Sequence, residues 1–408
     1  MPIVYASFLS NQQMSVNSPY TTHHHWDIFC TVVDNYGDIG VTWRLAKQLV
    51  AEYDIPINLW VDDLLSFSHI LPMLKPHKAQ QHFNGVNIFH WGKPLKVDFE
   101  AGIVVIEAFG CELPSQVKTV LEQRHQHPQT LAPIWLNLEY LSAEEWVDGC
   151  HGLPSSQPNG VKKWFYFPGF TVNTGGLICE RDLFSQRDEW QADPKHKLAL
   201  FKQLGLQGIN LQDTVISVFS YDTPALMALC EWWQTSTTPI HALIPQGRSL
   251  HSLVSLLPCP VEYLIPGQQI KLGNLTLHIL PMTDQNDFDR LLWSCDFNIV
   301  RGEDSFLRAQ WAAKPFIWHI YPQEDDYHLV KLQAFMQIYC DNLAPEIATT
   351  WSEVNLAFNQ GNANAVVTHW QHLNSVNVSL MQHAIQWPIN ALKDADLASR
   401  LVQFVDKI

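Results

Sequence analysis

Two doubly wound α/β domains facing one another across a cleft are the fold class this sequence predicts. Three observations carry it: apolar, strand-like runs alternate with helix-period segments from Trp26, a glycine-rich stretch interrupts them near residue 170, and a second alternating series follows. In the first series, Trp26 to Val33 is rich in β-branched and aromatic residues and reads as a central parallel strand. Val41 to Val50 follows as a helix, because Val41, Leu45 and Leu49 recur at four-residue spacing while Trp43, Ala46 and Val50 widen the apolar face. Ile57 to Val61, Gly102 to Glu107 and Pro133 to Leu138 supply further strands. The interruption is Phe167-Pro168-Gly169-Phe170-Thr171-Val172-Asn173-Thr174-Gly175-Gly176, after which Glu180 to Leu204 turns charged and helix-like. A domain junction belongs here, with the Gly-Gly pair serving as hinge, tight loop or cleft wall.

The second series opens with a strand at Thr214 to Phe219 and a helix at Pro224 to Trp233. Strands at His241 to Ile244 and Leu275 to Leu280 come next, then a helix at Phe288 to Ser294 and a strand at Phe297 to Val300. Phe306 to Ala313 is the next helix, and Phe316 to His319 the last strand. Ile389 to Ile408 reads as a helix crossing back onto the first domain, with Leu392, Leu397, Leu401 and Phe404 apolar. The expected division is therefore 26–180, 181–388 and 389–408, preceded by a disordered or mis-started extension over 1–25 in which Met14 offers another start.

Composition narrows the function. The 408 residues, 47% of them hydrophobic, suffice for more than one core. No apolar run reaches the roughly 18 residues that a membrane span needs, and the first residues lack the charged and apolar regions of a secretory signal. The eight cysteines are scattered without a CxxC pair, which suits reduced thiols in a cytoplasmic protein. Cys150 and His151 are adjacent in sequence, a poor arrangement for a nucleophile and its base. A net charge of −15 with no Lys/Arg cluster argues against a nucleic-acid partner and is compatible with a basic protein surface. His23-His24-His25 has no matching ligand cluster, so it reads as a solvated lead-in and no metal is expected.

Two junctions carry chemistry. In Val32-Val33-Asp34-Asn35-Tyr36-Gly37-Asp38-Ile39-Gly40 a strand ends at one carboxylate, and a turn presents a second at the start of a helix. Asp38 as an N-cap and Asp34 as a turn residue is the plain alternative to a reaction centre. In Arg301-Gly302-Glu303-Asp304-Ser305 a strand gives way to a helix whose free N–H groups, with Arg301, suit a diphosphate. Carboxylates there would repel phosphate, so Glu303 and Asp304 fit sugar hydroxyls, a cationic partner or the orientation of Arg301; the alternative is a capping box. Met282-Thr283-Asp284-Gln285-Asn286-Asp287-Phe288 and Ser220-Tyr221 end other strands of the same sheet. Gln285 and Phe288 suit a pyrimidine base, completing a nucleotide pocket opposite two aspartates.

Asp34-Asn35-Tyr36-Gly37-Asp38-Ile39-Gly40, Phe167-Pro168-Gly169-Phe170 with Thr174-Gly175-Gly176, Arg301-Gly302-Glu303-Asp304-Ser305 and Tyr321-Pro322-Gln323-Glu324 resemble, in this order, the EarP family of protein-arginine rhamnosyltransferases. The resemblance covers nearly the whole chain from about Trp26. It implies a GT-B glycosyltransferase fold, two Rossmann-like domains with an interdomain cleft. It also implies inverting, metal-independent transfer of L-rhamnose from dTDP-β-L-rhamnose to an arginine of translation elongation factor P, which activates that factor for ribosomes stalled at polyproline. By motif, Asp38 matches the general base, Asp34 a second essential acid, and Glu303 a further acid of the essential loop. Arg301, Gly302, Asp304 and Ser305 match the diphosphate and sugar region, Tyr36, Gly37, Ser220 and Tyr221 further donor contacts, and Gln285 with Phe288 the thymine pocket. Met282 replaces an aromatic of that pocket and is a departure from the family pattern. The rival readings are another enzyme of this architecture, an epimerase or a small-acceptor transferase, and a non-enzymatic nucleotide-binding module.

Overall fold

The computed structural model describes residues 24–33, 36–127, 131–158, 160–393 and 395–408. The expectations for residues 1–23 and for Asp34 lie outside them. In the first half, β1 (Trp26–Cys30), β2 (Ile57–Val61), β3 (Gln80–Phe83), β4 (Val86–His90), β5 (Val104–Ala108), β6 (Ile134–Leu138), β7 (Pro154–Ser156) and β8 (Lys162–Tyr166) form one sheet. Its order is β3-β4-β2-β1-β5-β6-β8-β7, parallel throughout except for the edge pairs β3/β4 and β7/β8. β1 is central and all of its residues are buried, as a strand covered by helices on both faces must be.

The second half holds β9 (Thr214–Val218), β10 (Ile240–Pro245), β11 (Gln269–Leu272), β12 (Leu275–Leu280), β13 (Phe297–Arg301) and β14 (Phe316–His319). Their order is β11-β12-β10-β9-β13-β14, with only β11/β12 antiparallel. These are the two parallel-dominated α/β sheets of the GT-B architecture. The expected strands at 57–61, 275–280 and 316–319 coincide with β2, β12 and β14; β1 ends at Cys30, three residues before the expected Val33, and the other expected strands shift by a residue or two at their ends.

Three differences have local causes. The charged stretch after Glu180 is two helices, Leu183–Ala192 and Pro194–Gln203, because Asp193 accepts from the Lys195 N–H and restarts the chain with Pro194 in the first turn. The terminal segment is also two helices. Asn377–Leu392 continues through a buried Pro388, so the expected boundary at 389 falls inside it, and Leu397–Lys407 begins anew with Asp396 as its N-cap. Trp387 donates to Gln310 and holds the former against the second half, whereas Arg400 donates to the Thr171 and Thr174 carbonyls and Phe404 packs on Tyr166, which docks the latter on the first.

The Gly-Gly pair supports that docking and does not line the cleft. Gly176 has φ +77°, and a Cβ there would lie 3.0 Å from the Arg400 side chain and 3.1 Å from the Ala395 carbonyl. Among the described residues no helix is long and apolar enough to cross a membrane.

Candidate active site

Between the sheets lies a partly open cleft. Tyr36, Gly37, Gly40 and Ile70 line it from the first half. The carboxyl ends of β9, β10, β12 and β13 line it from the second, where ligands of open α/β sheets bind.

Asp38 is the second residue of the helix Gly37–Tyr53, whose N-cap is Tyr36, so the capping alternative does not describe it. Its carboxylate turns back instead. Oδ2 accepts the Val33 N–H at 2.9 Å and Oδ1 accepts the Tyr140 hydroxyl at 3.1 Å, and only 2% of the residue is exposed. The capping box at the second junction is likewise absent: Glu303 precedes the helix Asp304–Trp311 without a side-chain cap bond. Its Oε2 accepts the Leu141 N–H of the other half at 2.9 Å. The first-turn N–H groups of that helix are thus left to the cleft.

Burial pushes the Glu303 carboxyl up to about 8; the Leu141 hydrogen bond opposes this and the charges of Asp38 and Asp304 reinforce it. A folded-state value above the unfolded one means stability that is fully present below about pH 4.5 and lost as pH rises through about 8. Wild-type protein should therefore lose, between pH 5 and 8.5, about 1 kcal/mol or more relative to Glu303→Gln. Parallel denaturation curves for the two proteins across that range would refute the shift. The same environment is reversed by a cation, which would favour the ionised form of Glu303 and release a proton on binding.

Asp304 lines the cleft with its charge already engaged. Its Oδ1 accepts the Arg44 Nε–H at 2.7 Å, and a Cβ at Gly40 would lie 3.2 Å from its Oδ2, so the two helices approach closely here. Arg44, 1% exposed, also forms a bidentate pair with Asp289 at 2.9 and 3.0 Å. Arg308 grips the same Asp289 and donates to Glu180 at 2.6 Å. Burial alone would raise the Glu180 carboxyl, but Arg308 and Arg44 pull it down to about 2. These two arginines and three acids fasten the halves beside the cleft.

The remaining predicted residues divide. Arg301 lines the cleft with its guanidinium 4.7 Å from the ring centres of both Phe219 and Tyr221, a cation–π clasp that limits where the fork can swing. Gly302 and Ser305 line it too, the Ser305 hydroxyl donating to the Arg301 carbonyl. Phe288 lines it with its edge against Phe219, and the exposed Met282 stands beside it. Gln285 lines it, but its amide bonds the Gly40 carbonyl and Lys47 rather than presenting a free edge to a base.

Ser220 and Tyr221 lie one layer behind the wall. After β9, Phe219 takes the rim position, the Ser220 backbone is paired with Ser249, and Tyr221 packs under Arg301. Tyr140, Leu141, Phe219 and Arg44 were not singled out from sequence. The first two follow β6 at its carboxyl end, the one signal that pointed to them.

The family model for elongation factor P (EF-P) rhamnosyltransferase EarP matches residues 26–406. The chain belongs to the EarP family. An EarP-family relative from Shewanella oneidensis, named a protein-arginine rhamnosyltransferase, is 70% identical over 94% of this chain and 98% of its own. One of the same name from Pseudomonas aeruginosa is 43% identical over 93% and 98%. The solved structure describing EarP-mediated arginine glycosylation of EF-P superposes with a TM-score of 0.65 at 32% identity, covering 94% of this chain and 99% of that one. A UDP-GlcNAc 2-epimerase from Neisseria meningitidis, at a TM-score of 0.52 and 8% identity over 94% and 100%, shares the fold alone. Like the rest of its family, the chain is a glycosyltransferase.

Proposed function

We propose that this EarP-family enzyme works in the cytoplasm and transfers L-rhamnose from dTDP-β-L-rhamnose to one arginine of translation elongation factor P, with inversion and without a metal. The modified factor then serves ribosomes stalled at polyproline. The observation that carries the reading is that Asp38 of the first half and Glu303 of the second are held by the neighbouring residues Tyr140 and Leu141, beside a cleft lined by Glu303, Arg301 and an uncapped helix N-terminus. The second half supplies the donor side. Arg301 and the first-turn N–H groups of Asp304–Trp311 match a diphosphate, and Phe288 with Met282 offers apolar surface to a base.

A guanidinium is protonated at physiological pH and its lone pairs are delocalised, so it is a poor nucleophile. Carboxylates correct this by holding the fork and accepting a proton as the bond forms. A guanidinium nitrogen attacks the anomeric carbon, the bond from that carbon to the diphosphate oxygen breaks, and dTDP leaves with the electron pair. The nitrogen's proton passes to Asp38, with Glu303 and Asp34 balancing the remaining positive charge. In-line attack on the β-linked donor gives the α-linked product, while Arg301 and the helix N-terminus stabilise the departing diphosphate.

Incubation with dTDP-rhamnose and elongation factor P, read by intact mass in the presence of a chelator, should add one deoxyhexose to the factor and nothing to free arginine. An unmodified factor, or turnover of the nucleotide sugar without acceptor, would sink the reading. Arg301→Ala should weaken dTDP binding about 10-fold or more by calorimetry, the scale of one charge-assisted contact; unchanged affinity removes the clamp.

A further inference from the structure

Asp38 and Glu303 are tied to one dipeptide. The Tyr140 hydroxyl donates to Asp38 Oδ1 at 3.1 Å, and the amide of the next residue, Leu141, donates to Glu303 Oε2 at 2.9 Å. Asp38 belongs to the helix after β1 and Glu303 to the loop after β13, so two consecutive residues after β6 span a carboxylate from each half. The ring of Tyr140 is itself supported. It stacks on Phe109 with centroids 4.6 Å apart and planes 20° from parallel, although Tyr140 is 44% exposed. Phe109 carries φ +54°, a left-handed conformation that bulky residues rarely adopt and that persists where surroundings enforce it.

We propose that Tyr140-Leu141 is the positioning segment of the reaction centre, Tyr140 fixing Asp38 and the Leu141 amide fixing Glu303, so that their separation is set for one guanidinium. This rests on the reading that those acids handle an arginine. A neutral hydroxyl suits the task, since it donates to an ionised carboxylate without competing for the substrate's positive charge. Burial and then Asp38 push the Tyr140 hydroxyl's ionisation upward, which keeps it a donor across the working range. A backbone amide suits Glu303 equally, because it cannot titrate or rotate away.

The test compares Tyr140→Phe with wild type in kcat, donor KM, dTDP affinity and the pH profile of kcat/KM. The variant keeps the stack on Phe109 and loses only the hydroxyl. Its kcat should fall about 10- to 100-fold, the range for one hydrogen bond to a charged group, with dTDP affinity unchanged. The acidic limb of the profile should move to higher pH, because ionised Asp38 loses a donor. The titratable and charged groups that face the pair include Cys30, Tyr140, Asp304 and Lys331, and all of these but Tyr140 are unaltered in the variant. Phe109→Leu, which keeps the hydroxyl but takes away the ring beneath it, should move the same limb in the same direction and serves if Tyr140→Phe folds poorly. A kcat within twofold of wild type, or a loss without movement of that limb, overturns the assignment. Transfer by Asp38→Asn at the wild-type rate would instead overturn the reading of the acids on which it rests.

Discussion

An Asp38→Asn enzyme should bind dTDP with wild-type affinity and transfer rhamnose about 10²- to 10⁴-fold more slowly, the range that one positioned acid–base group supplies. The substitution keeps size and shape, so the helix Gly37–Tyr53 should form as before. Two things change at the carboxylate. The amide cannot take a proton, and its NH₂ group would face either the Val33 N–H or the Tyr140 hydroxyl, both of which now donate. Donor binding should survive because Arg301 and the start of Asp304–Trp311 belong to the other half. Calorimetry with dTDP and intact-mass assays of the acceptor check the two arms separately. Loss of nucleotide affinity would make Asp38 a donor-site or folding residue.

The largest effect on stability should come from Arg44→Met, which keeps an apolar stem and deletes the charge. Arg44 is almost fully buried and touches Asp289, Asp304 and Glu180. Removing one partner of a buried ion pair costs about 3–5 kcal/mol, because the other charge stays behind unpaired. Asp289 and Glu180 keep Arg308, so the stranded charge is mainly that of Asp304, which stands at the cleft. Chemical denaturation should therefore show the loss together with a fall in kcat/KM. Wild-type stability would mean that apolar packing compensates, as it does in some buried networks.

Asp304 also shows where sequence reasoning stops. A carboxylate beside a diphosphate site looks repulsive in sequence, and what resolves it is an arginine 260 positions away on the other half. Arg44 gave no signal of its own, being one polar residue among the apolar positions of a helix. Buried parallel strands such as β2, β12 and β14 were legible because apolar and β-branched residues dominate them, with one polar residue, Asn58, His278 or His319, besides. The edge strand β3, Gln-Gln-His-Phe, has no such pattern, since its form comes from pairing with β4. The rim of the cleft was legible to within one residue. After β9 Phe219, two residues beyond Ser217, lines the wall, and Ser220 and Tyr221 do not. Gln285 was expected to read a base, but chain distance hid Gly40 and Lys47, which occupy its amide.

The return of the last helix to the first half has a mechanical consequence. The polypeptide crosses between the halves at 167–180 and again between the helices Asn377–Leu392 and Leu397–Lys407, so the halves are tethered at two places. Two tethers define an axis. Two covalent crossings restrict relative motion more than one would and favour a swing about the line joining them. Such a swing would part Leu141 from Glu303 and Arg44 from Asp304 together, admitting a protein acceptor in one movement and restoring both contacts on its reversal.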